Sequence, residues 1–278
     1  MSLIYKCENQ IIENVLKKMK DVGLVSKAAY FNFDAKDDLR KEVAYRDFDF
    51  LSRLSRMAEA EIVLSALNWL KHKGIVAADT DYNETAFENL RDEVKKKFTV
   101  PGTSITPVME RLLYMLSSLK KPRRILAIGT YCGNTLVWNA GTSCGSGKLY
   151  DAEKVYGIDI DAEATATAKK NFSKLSHADH IELLAKDGLK AIENLKESFD
   201  YVYLDADSKE LGKGLYLELL KIVYEKIEDG GWILAHDIVV PTFSSQFKEY
   251  LTFVRNKKNF KESILFDVDA YGLELTIK

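Results

Sequence analysis

Apolar residues recur at intervals of three and four through the first hundred positions, the spacing that lines them along one side of a helix. One stripe, Ile11, Ile12, Val15, Leu16 and Met19, stops at Gly23. A longer one runs through Leu51, Leu54, Ala58, Ile62, Ala66, Leu67 and Leu70 and ends on Lys71, Lys73 and Gly74. Basic residues there meet the negative end of the helix dipole, and the glycine can turn left-handed. Asp81-Tyr82-Asn83-Glu84 has the residue types of a capping box and predicts a third helix reaching about Phe98. No alternating pattern interrupts this stretch, so residues 1–98 are expected to form an all-helical region without strands.

The pattern changes at Val100-Pro101-Gly102. Thr106-Pro107 reads as an N-cap followed by proline in the first turn, opening a helix through Leu112, Leu113 and Leu116. Short apolar runs at 124–128, 155–160, 181–184, 201–204 and 232–235 then alternate with helical stretches at 162–175, 189–195 and 215–227. Such runs, alternating with helices, imply a parallel sheet covered on both faces. Residues 264–268 and 273–277 are joined by a turn at Asp269 to Gly272 and predict a closing antiparallel hairpin. The predicted fold is therefore α/β, a doubly wound, mostly parallel seven-stranded sheet over residues 99–278, preceded by helices.

Composition narrows the classes. The chain has 278 residues, 46% hydrophobic and 29% charged, with 4 Pro and 15 Gly, which excludes disordered and low-complexity classes. A net charge of -2 leaves no excess of positive charge for a phosphate backbone, so no nucleic-acid partner is expected. The 3 cysteines include no CxxC pair, which indicates neither a disulfide framework nor structural zinc. No apolar run approaches the roughly 18 residues of a membrane helix, and a cytoplasmic protein is expected.

In open α/β sheets ligands bind beyond the carboxyl ends of the strands, so the residues that follow each strand carry the chemistry. After the first strand stands Gly129-Thr130-Tyr131-Cys132-Gly133, a G-x-x-x-G turn over which a ligand can approach the backbone. Asp159 ends the second strand, where an acid accepts hydrogen bonds from ribose hydroxyls, while Asp161 reads as a helix cap. Asp187-Gly188 follows the third strand and suits either an adenine contact or a cap. Leu204-Asp205-Ala206-Asp207 and Ala235-His236-Asp237 end the fourth and fifth strands. Three acids and a histidine converging above the sheet suit a divalent cation; otherwise they cap loops or pair with lysines such as Lys209 and Lys213. His177 and His180 read as a solvated loop. Cys132 reads as packing, and Tyr45, Phe48, Phe50 and Trp69 as core aromatics.

These segments, with Gly230-Gly231-Trp232, Pro241 and the closing Tyr271-Gly272-Leu273-Glu274-Leu275, resemble the metal-dependent O-methyltransferases of the catechol and caffeoyl-CoA group. The resemblance implies S-adenosylmethionine bound by Gly129, Thr130, Tyr131, Gly133, Asp159, Ile160, Asp187, Gly188 and Asp205. It also implies a metal held by Asp205 and by His236-Asp237, which fall where that family carries Asp-Asn. Ala127 stands in place of an acid, and Ser208 in place of the family's catalytic lysine. Metal activation of the acceptor is then expected to carry more of the burden, unless Lys209 or Lys213 swings in; Asp205 and Lys209 are the expected catalytic pair. An imidazole ligand favours Mn²⁺, Fe²⁺, Co²⁺ or Zn²⁺ over Mg²⁺.

The expected activity is methyl transfer to a hydroxyl of a small molecule. Two other readings stand beside it: aminocarboxypropyl transfer from the same cofactor, as in enzymes resembling nicotianamine synthase, and a non-catalytic protein that binds S-adenosylmethionine. The N-terminal helices are expected to cover the active site or to pair subunits in a homodimer.

Overall fold

The computed structural model describes residues 3–6, 49–100, 105–269 and 271–278, with residue 6 and residues 49–58 described by their backbone alone. The stripe that ends at Gly23, together with Tyr45 and Phe48, lies outside the described residues.

One sheet holds eight strands among the described residues: Leu3–Lys6 (β1), Arg124–Ile128 (β2), Lys154–Asp159 (β3), Ile181–Ala185 (β4), Phe199–Leu204 (β5), Ile227–His236 (β6), Glu262–Asp267 (β7) and Leu273–Ile277 (β8). Their order is β1-β7-β8-β6-β5-β2-β3-β4. β2 to β6 run parallel, and β8 lies antiparallel between β6 and β7 as the predicted hairpin closes the sheet. The expected seven strands become eight, because the N-terminal region is not wholly helical. Leu3 to Lys6 pair in parallel with Ile264 to Asp267 on the outer edge. Four residues carry too little alternation to announce a strand; the unpaired edge of β7 is what makes them one.

Helices cover both faces: Asp49–His72 (α1), Glu84–Lys97 (α2), Pro107–Lys120 (α3), Asn134–Ala140 (α4), Ala162–Phe172 (α5), Gly188–Asn194 (α6), Leu215–Val223 (α7) and Lys248–Val254 (α8). Alternation along each strand assigns the faces. Ile125, Ala127, Tyr201, Tyr203 and Leu234 pack with α1 to α5, whereas Leu126, Ile128, Val202, Leu204 and Ile233 pack with α6 to α8. α3 begins as its sequence predicts, with the Thr106 hydroxyl accepting from the Met109 amide and Pro107 in the first turn. α2 starts at Glu84 with Asn83 as its cap. Gly74, past the basic end of α1, has φ +68°.

α1, α2 and α3 are also joined by buried charge. Glu59, fully buried on α1, pairs with Arg91 on α2 and Arg111 on α3, and Arg111 also pairs with Glu88. From β2 the chain winds outward to β3 and β4, then returns to β5 on the other side of β2. The crevice at that switch point, beyond the carboxyl ends of β2 and β5, is where such a sheet binds ligands.

Candidate functional site

The turn after β2 is shaped by two left-handed glycines, Gly129 at φ +84° and Gly133 at φ +85°, with Tyr131 between them at φ +45°. A Cβ on Gly129 would stand 2.5 Å from the Ala206 backbone nitrogen, so the turn lies flat against the end of β5 only because position 129 has no side chain. A Cβ on Gly133 would meet the Phe172 ring at 2.8 Å. The Gly129 amide donates to the Ile158 carbonyl at 2.8 Å, and the Asp205 amide to the Ile128 carbonyl at 2.9 Å, which ties the ends of β2, β3 and β5 together.

Asp159, the last residue of β3, accepts from the Tyr131 amide at 2.6 Å through one carboxylate oxygen and from the Asp161 amide at 2.9 Å through the other. The turn thus fixes the carboxylate, and each oxygen keeps a second lone pair. Ile160 beside it is 72% exposed, and Tyr131 is also exposed, so two large apolar side chains flank the acid at the mouth of the crevice.

The second cluster lies where β5 and β6 end. The ligand atoms of Asp205, His236 and Asp237 stand within 4.8 Å of one another, as the sequence predicts for a cation site. A cation is already among them. The ammonium of Lys213 lies 3.2 Å from Asp205 Oδ1 and 2.7 Å from Asp237 Oδ2. It also donates to the Tyr216 hydroxyl at 3.2 Å. Lys213 sits in the short turn Gly212–Gly214 just before α7 and is 5% exposed. Burial alone would lower its pKa, but the two carboxylates raise it, so it is held charged.

His236 Nδ1 stands 3.2 Å from Asp237 Oδ1 and 3.5 Å from Asp205 Oδ1, at ion-pair distance, while neither ring nitrogen makes a well-formed hydrogen bond. Its ring stacks on Tyr271 with centroids 5.8 Å apart. Burial would push the imidazole pKa down; the carboxylates of Asp205, Asp237 and Asp269 push it up to about 9. Burial works to raise the Asp205 carboxyl, and His236 and Lys213 hold it below the usual carboxylate range. Asp237 adopts φ +66°, an uncommon conformation that holds its carboxylate beside Lys213 as the chain leaves β6.

Other predicted residues fall elsewhere. Lys209 is exposed on the turn after β5, and it is Lys213 that reaches Asp205. Asp187 caps α6 by accepting from the Lys190 amide, and Asp161 caps α5 as predicted. Gly188 opens α6, with 3.0 Å between a Cβ built there and Ile128. Thr130 is buried beneath the glycine turn. Ser208 belongs to a local turn, its hydroxyl accepting from the Leu211 amide. The Cys132 thiol is buried and its pKa is raised, mainly by that burial, which makes it a poor nucleophile. His177 is exposed, and His180 bonds Ser143 at 2.9 Å. Lys213 is the central residue whose role the sequence left open. Its signal is a lysine between two glycines, Gly212-Lys213-Gly214, at the start of an apolar helix.

Comparison with known proteins adds four observations. The model of a family described as O-methyltransferase matches residues 76–242. An O-methyltransferase, ankF, from Aspergillus thermomutatus is 27% identical over 51% of this chain and 57% of its own length. A catechol O-methyltransferase from Niastella koreensis is 24% identical over 50% of this chain and 60% of its own length. The chain thus spans less than two thirds of either relative. Among solved structures, the O-methyltransferase TomG from Streptomyces achromogenes, in complex with SAM, shares the fold with a TM-score of 0.54. It is 18% identical, covering 72% of this chain and 91% of that one.

Proposed function

The chain belongs to the O-methyltransferase family, and from that membership we propose that it moves the methyl group of S-adenosylmethionine to a hydroxyl oxygen of a small molecule. The observation that carries the reading is the glycine turn pressed on the end of β5 beside the fixed carboxylate of Asp159. A turn free of bulky side chains at its two glycines, next to an acid with free lone pairs, fits a nucleoside ribose. The flanking Ile160 and Tyr131 offer apolar surface to a base. When bound, the cofactor supplies a methyl group made electrophilic by its sulfonium, which leaves as a neutral thioether.

The residues of the chain do the rest by position. Gly129 and Gly133 let the turn close against the end of β5 and against Phe172, which sets its backbone at the crevice, and Asp159 orients the ligand. Beside them, Asp205 and Asp237 face the crevice. Lys213 engages Asp205 Oδ1 and Asp237 Oδ2, Tyr203 donates to Asp205 Oδ2 at 3.3 Å, and His236 Nδ1 lies 3.2 Å from Asp237 Oδ1, so the proton of the acceptor hydroxyl is taken by a second lone pair of one of these carboxylate oxygens. Alignment of donor and acceptor is the larger contribution, since an in-line displacement needs both held in reach.

The divalent cation expected from the sequence does not fit this donor set. A doubly charged ion held by Asp205, His236 and Asp237 would share both carboxylates with the Lys213 ammonium, which lies 3.2 Å from Asp205 Oδ1 and 2.7 Å from Asp237 Oδ2. A dication and an ammonium roughly 4 Å apart repel by about 8 kcal/mol at an effective dielectric constant of about 20, so the two compete for the same carboxylates.

The test is product analysis with a panel of phenols and other hydroxyl compounds. S-adenosylhomocysteine as coproduct supports methyl transfer. Methylthioadenosine would indicate transfer of the aminocarboxypropyl group instead, and no binding of either cofactor form would refute the reading.

A further inference from the structure

We propose that the ammonium of Lys213 is a built-in replacement for the divalent cation at this site, so that the chain excludes metal and works without it. The inference rests on the methyltransfer reading for its functional meaning, but the exclusion of metal stands on geometry alone. An ammonium has three N–H donors, and all three have partners here: Asp205 Oδ1 at 3.2 Å, Asp237 Oδ2 at 2.7 Å and the Tyr216 hydroxyl at 3.2 Å. The charge is thus centred between the two carboxylates that would otherwise ligate an ion.

The mount of this lysine is specific. Its backbone amide donates to Gln246 Oε1 at 2.6 Å. Gly212 precedes it at φ +53°, and a Cβ at that position would collide with the same Gln246 amide group. The stem passes the Tyr216 and Phe243 rings, with the ammonium 5.4 and 5.8 Å from their centroids. Turn, glutamine and aromatics together leave a buried side chain little freedom to withdraw and admit an ion. Position 208, where relatives are expected to carry a lysine, is occupied by a serine used in the turn that leads to Gly212. The positive charge of the site therefore enters from position 213.

The substitution has a chemical consequence. A divalent ion with open positions binds two neighbouring oxygens of one substrate. An ammonium with all donors engaged offers no such seat, and what faces the crevice is the pair of carboxylates. The acceptor then needs one ionisable hydroxyl and not a vicinal pair. Lys213 acts as a positioning residue: it neutralises and fixes the acids that take the proton.

The experiment uses the full chain, stripped with chelator, and follows uptake of Mn²⁺ by loss of the free-ion electron paramagnetic resonance signal. Wild type is expected to take up none, and Lys213→Arg none. Lys213→Met is expected to bind one ion per chain through the freed carboxylates of Asp205 and Asp237, with His236 giving up its proton to join them. Stoichiometric uptake by wild type would overturn the proposal. So would a Lys213→Met variant that melts like wild type yet takes up no Mn²⁺. If that variant fails to fold, the wild-type titration decides alone. Calorimetric titration with S-adenosylhomocysteine in the same samples keeps the two readings apart: its failure refutes the cofactor site, whereas metal uptake refutes only the role of Lys213.

Discussion

His236 is buried among three carboxylates, and the sign of its contribution to stability follows from that. Its pKa rises from an unfolded value near 6.5 to about 9 in the folded chain. The native state therefore binds the proton more tightly. The stabilisation is fully present below about pH 6.5 and is lost as pH rises through about 9, with a size of up to ~3 kcal/mol. Urea unfolding at pH 6 and at pH 9.5 should show this loss, and His236→Gln should flatten it. An unchanged pH profile in that variant would place the titration elsewhere. Asp205 acts in the opposite sense: held below its usual range, it adds stability that is lost as pH falls through its folded value. A second residue-scale expectation concerns Asp159. Asp159→Ala removes the carboxylate fixed by the Tyr131 and Asp161 amides and should weaken S-adenosylhomocysteine binding by about 1.5 to 3 kcal/mol per bond lost. Calorimetry reads this directly, and an unchanged affinity would show that the ribose does not lie there.

Among the elements, the turn after β2 is the least tolerant of change. Gly129→Ala adds a Cβ against the backbone of Asp205 and Ala206 at a φ of +84°, so either the turn or the end of β5 must shift. The expected result is loss of cofactor binding with a fall in stability of at least ~1 kcal/mol, read by thermal shift with and without S-adenosylhomocysteine. The buried charge that joins α1 to α2 and α3 centres on one carboxylate. Glu59 is fully buried and serves both Arg91 and Arg111, so Glu59→Ala leaves two guanidinium groups in the interior facing too little negative charge. Breaking such a pair costs about 3 to 5 kcal/mol. A urea midpoint close to that of wild type would mean that water reaches the arginines.

At the scale of the molecule, the N-terminal helices and the sheet share one core. Leu67, Leu70, Phe87 and Leu90 belong to the same cluster as Trp138, Tyr201 and Leu234, and β1 covers the edge of β7. A chain beginning at Thr99 would expose that face of the sheet and lose the edge pairing. It is expected to aggregate or to melt without cooperativity in calorimetry and light scattering. A soluble, cooperatively melting fragment that still binds S-adenosylhomocysteine would show residues 1–98 to be a separate module.

Local patterns fixed much of this protein before any tertiary contact is considered. The apolar runs gave β2 to β8, Thr106 and Asp161 announced their caps, and the glycine turn with Asp159 marked the switch point, because periodicity, capping and left-handed turns are properties of neighbours in sequence. Three matters lay beyond that range. β1 is a strand only because a distant edge accepts its four residues. Asp187 could equally have capped a helix or faced a ligand, and in the fold one of its carboxylate oxygens caps α6. Asp205, His236 and Asp237 could be read as partners of a metal or of a lysine. The fold chose by carrying Lys213, eight residues past Asp205, back over β5 and β6 to within 2.7 Å of Asp237, since a charge buried among carboxylates is placed by the convergence of strand ends and not by spacing along the chain.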